Sequence, residues 1–155
     1  AFSGAVDAGA MFSETARAAG INMTVDRVPN DGYWSNVWLN PNGNTPFCAT
    51  YWGGRAVEDH MFTTAYAAGA DWNESFWNNE RFNELLVTAR SEINEDLRRE
   101  MYHEMQQLVS FEGSTIIPMY NNYVMALSNK IATPERISSN WNFDGFRCVE
   151  RWWTA

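Results

Sequence analysis

The chain has 155 residues, 45% of them hydrophobic, 15% aromatic and 19% charged, which is enough apolar material for a buried core and too much for intrinsic disorder. With 19 acidic residues against 11 basic ones the formal charge is −8, and no Lys/Arg cluster supplies the cationic stripe that a nucleic-acid partner requires. No window approaches the roughly 20 apolar residues of a membrane-spanning helix.

In chain order, residues 5–19 form an Ala-rich segment that reads as a helix, stopped by Gly20. Ile21 to Asp26 alternates apolar and polar, the period of a half-buried strand. Pro29, Asn30, Asp31 and Gly32 break the chain, and residues 33–39 read as a short aromatic helix ended by the turn run Asn40-Pro41-Asn42-Gly43-Asn44. Residues 45–52 are β-favouring and run into Gly53-Gly54-Arg55. A helix is expected over 57–68, with Glu58 and Asp59 in the first turn, where the helix dipole favours anions. Residues 69–79 are irregular and carry Trp72, Phe76 and Trp77. Phe82, Leu85, Leu86 and Ala89 lie at helical spacing within 80–91, and Asn94 is placed to cap a longer helix with a stripe of Leu97, Met101, Met105, Leu108 and Val109. Gly113 ends that helix, and 115–120 and 123–127 read as two short strands. The alternation of helices and strands argues an α/β layered fold with a mixed sheet flanked by helices. Residues 140–155 stand apart, an aromatic tail with Trp141, Phe143, Phe146, Trp152 and Trp153 that must dock on something.

Little in the sequence offers catalytic or metal chemistry. Cys48 and Cys148 are too far apart for a local metal motif; in an oxidising compartment they could pair, two buried thiols being the alternative. His60 has no second His or Cys nearby, and His103 sits among Arg98, Arg99, Glu100 and Glu104 on a solvated face. Ser3, Ser13 and Ser35 lack a nucleophile-elbow pattern, and Gly53-Gly54 lacks the spacing of a phosphate loop. Glu58 and Asp59 could in principle serve a paired-carboxylate hydrolase, but neighbouring helical residues point about 100° apart and rarely flank one bond. No catalytic residue, metal or cofactor is therefore expected. The start, Ala1-Phe2-Ser3-Gly4, has neither an initiator Met nor a basic leader, as in a chain processed or cut from something longer.

The unit with binding character is Tyr51-Trp52-Gly53-Gly54-Arg55-Ala56-Val57-Glu58-Asp59. Ligands of α/β proteins bind at strand ends, where such loops sit. Two glycines let a backbone approach a ligand, Arg55 offers a planar fork for a carboxylate, Trp52 a stacking face, and Glu58 or Asp59 a partner for an amine. The alternative is that the glycines merely turn and Arg55 pairs internally with Glu58.

Several segments, in order, resemble the C-terminal half of the dipeptide- and oligopeptide-type solute-binding proteins of ABC importers. They are Ala18-Ala19-Gly20-Ile21 with Asn22-Met23-Thr24-Val25, and Trp52 with its Gly-rich loop and downstream acid. Asn73 through Asn78 follows, leading into Arg81-Phe82-Asn83-Glu84-Leu85-Leu86. The most specific piece is Glu95-Asp96-Leu97-Arg98-Arg99-Glu100-Met101-Tyr102, followed by Ile116-Ile117-Pro118-Met119-Tyr120. Together the segments cover most of residues 10–130.

The resemblance implies the second lobe of a type II periplasmic-binding-protein-like fold over 1–139, with 140–155 returning toward a first lobe. It implies a periplasmic receptor, not an enzyme, that captures a small-molecule or peptide ligand and delivers it to membrane permease subunits. The implied ligand contacts are Trp52, Gly53, Gly54, Arg55, Glu58 and Asp59. Dipeptide-binding relatives hold the ligand's amino group with an acid shortly after the strand-end Trp, near Glu58 or Asp59. Arg55 stands where those relatives often carry an acid, which counts against a free peptide and leaves room for an opine, a modified peptide or another anionic nutrient. A hydrolase using Glu58 and Asp59 in the same cleft is the competing function.

Overall fold

Apolar periodicity sets the helices of this protein, and a computed structural model that describes residues 2–40 and 45–155 carries them where that periodicity lies. Positions 41–44 of the expected turn run lie outside the described residues. The chain divides into two compact units, the first ending at Trp52 and the second running from Gly53 to Ala155; residues 140–155 cluster with the second.

In the first unit, α1 spans Ala5–Ala18. Gly20, at φ 82°, takes the left-handed conformation that only glycine adopts cheaply, and Ile21 N–H returns to Ala16 O at 3.0 Å to close the helix end. Ser13 is buried and its hydroxyl donates to Met23 O at 2.7 Å, tying α1 to the extended segment after it. The aromatic helix α2 is a single turn, Tyr33–Asn36, shorter than the sequence suggests. Its Tyr33 hydroxyl donates to Ala49 O at 2.5 Å.

In the second unit, α3 covers Glu58–Met61 and widens into a π-helical turn over Phe62–Tyr66. The two long helices are α4, Glu80–Ser91, and α5, Glu95–Phe111, which pack against each other. Phe82, Leu85, Leu86 and Ala89 are all buried, as their spacing requires. On α5 Met105 and Val109 are buried, whereas Leu97, at the first turn, stands 46% exposed. Phe62 and Trp77 close on Phe82, with ring centroids 5.3 and 5.0 Å away. The irregular stretch before α4 is organised by Asn73, 4% exposed: its amide donates to Ala67 O and Trp77 O, and its Oδ1 accepts from Trp77 N–H and the Ser75 hydroxyl. Both α4 and α5 start at an asparagine. Asn79 accepts from Phe82 N–H, and Asn94 from the N–H groups of Asp96 and Leu97. Asn94→Ala leaves those donors uncapped, and an expected loss of about 1 kcal/mol follows; equal urea midpoints for the two proteins would refute the capping role.

The expected α/β lobe with a mixed sheet does not form. The regular structure is mostly helical, and the described residues hold one sheet of two two-residue strands, β1 (Ile131–Ala132) antiparallel to β2 (Trp153–Thr154). The segments 21–26, 46–52, 115–120 and 123–127 run extended or irregular without a ladder. Alternation and β-branching describe a chain that fits a pleated, half-buried surface. They do not supply the neighbour whose N–H and C=O groups complete a strand. Consistent with that, Ile116, Ile117, Met119, Tyr120 and Val124 stand 50% or more exposed.

The tail folds by a different device. Residues 142–145 make a turn in which Phe143, Asp144, Gly145 and the following Phe146 have φ of 51°, 62°, 67° and 62°. A four-residue helix α6, Cys148–Arg151, then leads to β2. Asp144 is fully buried; its Oδ1 accepts from Ser138 N–H at 2.6 Å and from Arg151 Nη1 at 2.7 Å, while Arg151 Nη2 donates to Arg136 O. Cys48 and Cys148 are half-buried and are not joined by a disulfide.

Candidate functional site

The six residues singled out by sequence fall on both sides of the unit boundary. Trp52 ends the first unit, half-buried, edge-on to Trp38 at 6.4 Å in a chain of rings that also contains Tyr33, Trp34 and Tyr51. Its role there is packing within an aromatic cluster, which accounts for part of the unusual tryptophan content.

Gly53, Gly54 and Arg55 open the second unit as an extended loop. Arg55 is half-buried. Its Nη1 donates to Gly53 O at 2.7 Å, which folds the side chain back over its own loop, and its guanidinium carbon lies 5.9 Å from the centroid of the Trp141 ring. The glycines have a local reason. A Cβ on Gly53 would meet the Trp141 ring at 3.4 Å, and one on Gly54 would meet Asn140 O at 3.7 Å. A methyl group just fits there; anything larger would push the tail away. Asn140 O in turn accepts from the Tyr123 hydroxyl at 3.0 Å. The tail thus docks on the Gly-rich loop, a partnership that no local sequence pattern announces. Small residues facing a distant Trp are the only signal, and they are weak without the fold.

Glu58 and Asp59 share the first turn of α3 but not an environment. Glu58 is exposed. Asp59 faces the helical core: Arg90 Nε donates to its Oδ2 at 2.8 Å and Arg90 Nη2 to its Oδ1 at 2.9 Å, a two-point fork, with the Tyr102 and Thr63 hydroxyls adding further hydrogen bonds. Asp59 therefore joins α3, α4 and α5. The Arg90 hydrogen bond is the largest influence on its carboxyl and holds it below the ordinary range, against an opposing push from burial. Burial, then the Asp59 charge, pushes the Tyr102 phenol up.

A depressed folded-state pKa has a definite sign. The stabilisation is complete above the unfolded carboxylate value of about 3.9 and disappears as pH falls through the lower folded value. Both partners are partly exposed, so the pair is worth about 1 kcal/mol or less. The second unit is expected to weaken below about pH 4, and Asp59→Asn to flatten that dependence. Urea titrations at pH 3 and pH 6 that show the same difference between the two proteins would exclude Asp59 as the titrating strut.

Among the described residues no cluster of His, Cys, Asp and Glu could hold a metal ion, and no helix is long and apolar enough to cross a membrane. Open depressions occur beside Phe2, Val6 and Arg27 and beside His103, Gln106 and Phe111, and none of the six candidates lines either. No family model, characterised protein or solved structure matches this chain.

Proposed function

We propose that the chain is part of an extracytoplasmic solute-binding protein of an ABC importer, taking up a peptide-like or opine-like solute with an anionic group for delivery to membrane permease subunits. Support comes from the ordered set of segments that resemble the peptide-binding family, and from the held posture of Arg55. That posture carries the reading. A guanidinium fixed by the carbonyl of Gly53 and laid against an indole has lost much of its rotamer freedom before any ligand arrives. A carboxylate ligand then meets a guanidinium whose position is already set by the partners that hold it. The reading rests on this loop and on the segment order, not on a sheet. Asp59 plays a supporting part in it, holding α3 in place behind the loop, while Glu58 remains exposed for a ligand amine.

Hydrolysis by Glu58 and Asp59 is the weaker reading. A carboxyl held low by Arg90 is a poor proton donor, and it has no positioned nucleophile beside it.

The test is a thermal-shift screen of the 155-residue chain against dipeptides, acylated peptides and opines. A ligand at 100 times its Kd is expected to add about 2.7 kcal/mol of stability. Arg55→Lys keeps the charge and loses the planar fork, so it should remove most of the ligand shift and leave the ligand-free melting temperature nearly unchanged. Arg55→Ala should weaken binding by roughly 2–5 kcal/mol. A lowered melting temperature with unaltered affinity would make Arg55 a structural residue and sink the assignment.

A further inference from the structure

What the Gly53-Gly54 loop holds is a piece of the chain's own tail. The edge of the Trp141 indole lies 3.4 Å from where a Cβ on Gly53 would stand, and Asn140 O lies 3.7 Å from the Cβ position of Gly54. The Arg55 guanidinium carbon sits 5.9 Å from the centroid of the same indole. The Tyr123 hydroxyl donates to Asn140 O at 3.0 Å and holds that carbonyl in place. An indole and the peptide carbonyl before it thus meet two positions without side chains, the close approach that glycine permits a bound peptide. Two further features set this contact apart from core packing. Trp141 is 41% exposed, so lifting it gives up only part of a tryptophan's burial. Asn140 and Trp141 also lie within a short closed loop, since Ser138 N–H donates to Asp144 Oδ1 at 2.6 Å. That loop is anchored away from the glycines, through the buried Asp144 and its pairing with Arg151 at 2.7 Å. The two residues can leave the glycines while the anchor stays.

We infer that Asn140-Trp141 is an internal occupant of the Gly53-Gly54 loop, standing in for a peptide that carries an aromatic side chain and excluding it until the tail lifts. The incoming ring takes the place of the Trp141 indole beside Gly53, and the carbonyl before it takes the place of Asn140 O beside Gly54. The ligand class follows from what the loop already holds, an aromatic ring one residue after a backbone carbonyl. The inference rests on the solute-binding reading and narrows its solute to an aromatic peptide. The tail then sets the apparent affinity, because only chains with the loop uncovered bind.

The probe is the uncharged dipeptide acetyl-asparaginyl-tryptophan amide, with acetyl-asparaginyl-alanine amide as the control. The Gly53 and Gly54 amide resonances of the isotope-labelled full chain are followed during titration. In Trp141→Ala the probe is expected to shift both saturably, and the control is not. In the unsubstituted chain the same shifts should need roughly tenfold more probe, because the internal ring competes. There the Trp141 indole N–H resonance should move in step with them as the tail lifts. Gly53→Val, placed in the Trp141→Ala background, fills the space beside the ring and should abolish binding at the Gly54 amide. Far-UV circular dichroism shows that each variant stays folded. Trp141→Leu, which keeps an apolar side chain in the tail, carries the same test if Trp141→Ala unfolds.

Several results overturn the inference. Binding to the variant with none to the unsubstituted chain means that the probe refills a packing cavity. Equal affinity for the two chains, or indifference to Gly53→Val, puts the probe somewhere other than the loop. No binding to a folded variant makes Trp141 a structural residue. The two proposals can fail separately. If the solute screen finds an Arg55-dependent ligand that binds the unsubstituted chain and Trp141→Ala equally well, the tail is no competitor and the receptor reading stands. If the probe behaves as described while no solute stabilises either chain, the internal occupant is real and the receptor reading fails.

Discussion

Phe82→Ala is expected to cost roughly 3–5 kcal/mol, the usual range for emptying a phenylalanine site in a packed core. Phe82 has no solvent exposure, and its ring meets Phe62 edge-on and Trp77 at a tilt. Neighbours on three elements would have to collapse to refill the space: α4 itself, the π-helical turn that carries Phe62, and the stretch ordered by Asn73 before α4. Two of the neighbours are aromatic, so the loss includes ring–ring contacts as well as buried area. The chain contains two units, and a global melt can mix their transitions. Hydrogen exchange of the amides over 80–111 is the cleaner readout. Protection there should drop by two orders of magnitude or more, as about 3 kcal/mol implies. Val87→Ala, on the same helix but 69% exposed, serves as the control and should change little. Comparable protection in the two variants would show that Phe82 is not the keystone of the α4–α5 pair.

The sequence carried the helices because each holds its own evidence. The spacing of Phe82, Leu85, Leu86 and Ala89 and the asparagines at 79 and 94 are local statements, and the structure honours them residue by residue. The segments around Ile21, Thr50, Ile116 and Tyr123 were legible only as β-favouring chain. A strand depends on a partner from any part of the sequence, and no pattern within those segments names one. The mixed sheet failed for that reason, as did the two short strands after Gly113. Among the candidate site residues, Arg55 beside its two glycines could be singled out in sequence, but not the ring its guanidinium approaches, since Trp141 lies 86 positions later in the chain. Asp59 and Glu58 look alike in sequence and differ only because Arg90, one α4 turn past Leu86, reaches one and not the other. The exposed Leu97 is the counter-example on the helical side: periodicity placed it on the apolar stripe, but at the first turn of α5 nothing packs over it closely enough to bury it.

The second large effect is expected at Asp144. Removing one partner of a fully buried ion pair costs roughly 3–5 kcal/mol, because the other charge is left stranded. Here the side chain of Arg151 is 29% exposed while that of Asp144 is sealed, so water recovers part of the Arg151 loss and the pair contributes nearer to about 2–3 kcal/mol. The backbone adds a second cost. Asp144 sits at φ 62°, ψ 44°, a left-handed conformation that Asp tolerates and Ala resists, worth about 1 kcal/mol more. Asp144→Ala should therefore lose about 3–4 kcal/mol in the second unit, and Asp144→Asn clearly less, since Asn keeps both the left-handed tolerance and an acceptor for Ser138 N–H. Arg151→Leu tests the pair from the other side. It leaves a sealed carboxylate with no cation, and one of its oxygens, Oδ2, already has no hydrogen-bond partner, so this variant should be at least as damaging as Asp144→Ala. The double variant Asp144→Ala/Arg151→Leu should recover part of the sum, because the stranded charge is gone. Hydrogen exchange at the β1–β2 ladder reads the effect directly, since that ladder pairs Ala132 with Trp153 just beyond Arg151. Additive losses in the double variant, or an unchanged ladder in Asp144→Ala, would mean that the tail is held by its aromatic packing alone; a collapse of the ladder with a partial rescue would place the hold on the Asp144–Arg151 pair, and with it the turn that sets Phe146 beside Trp141.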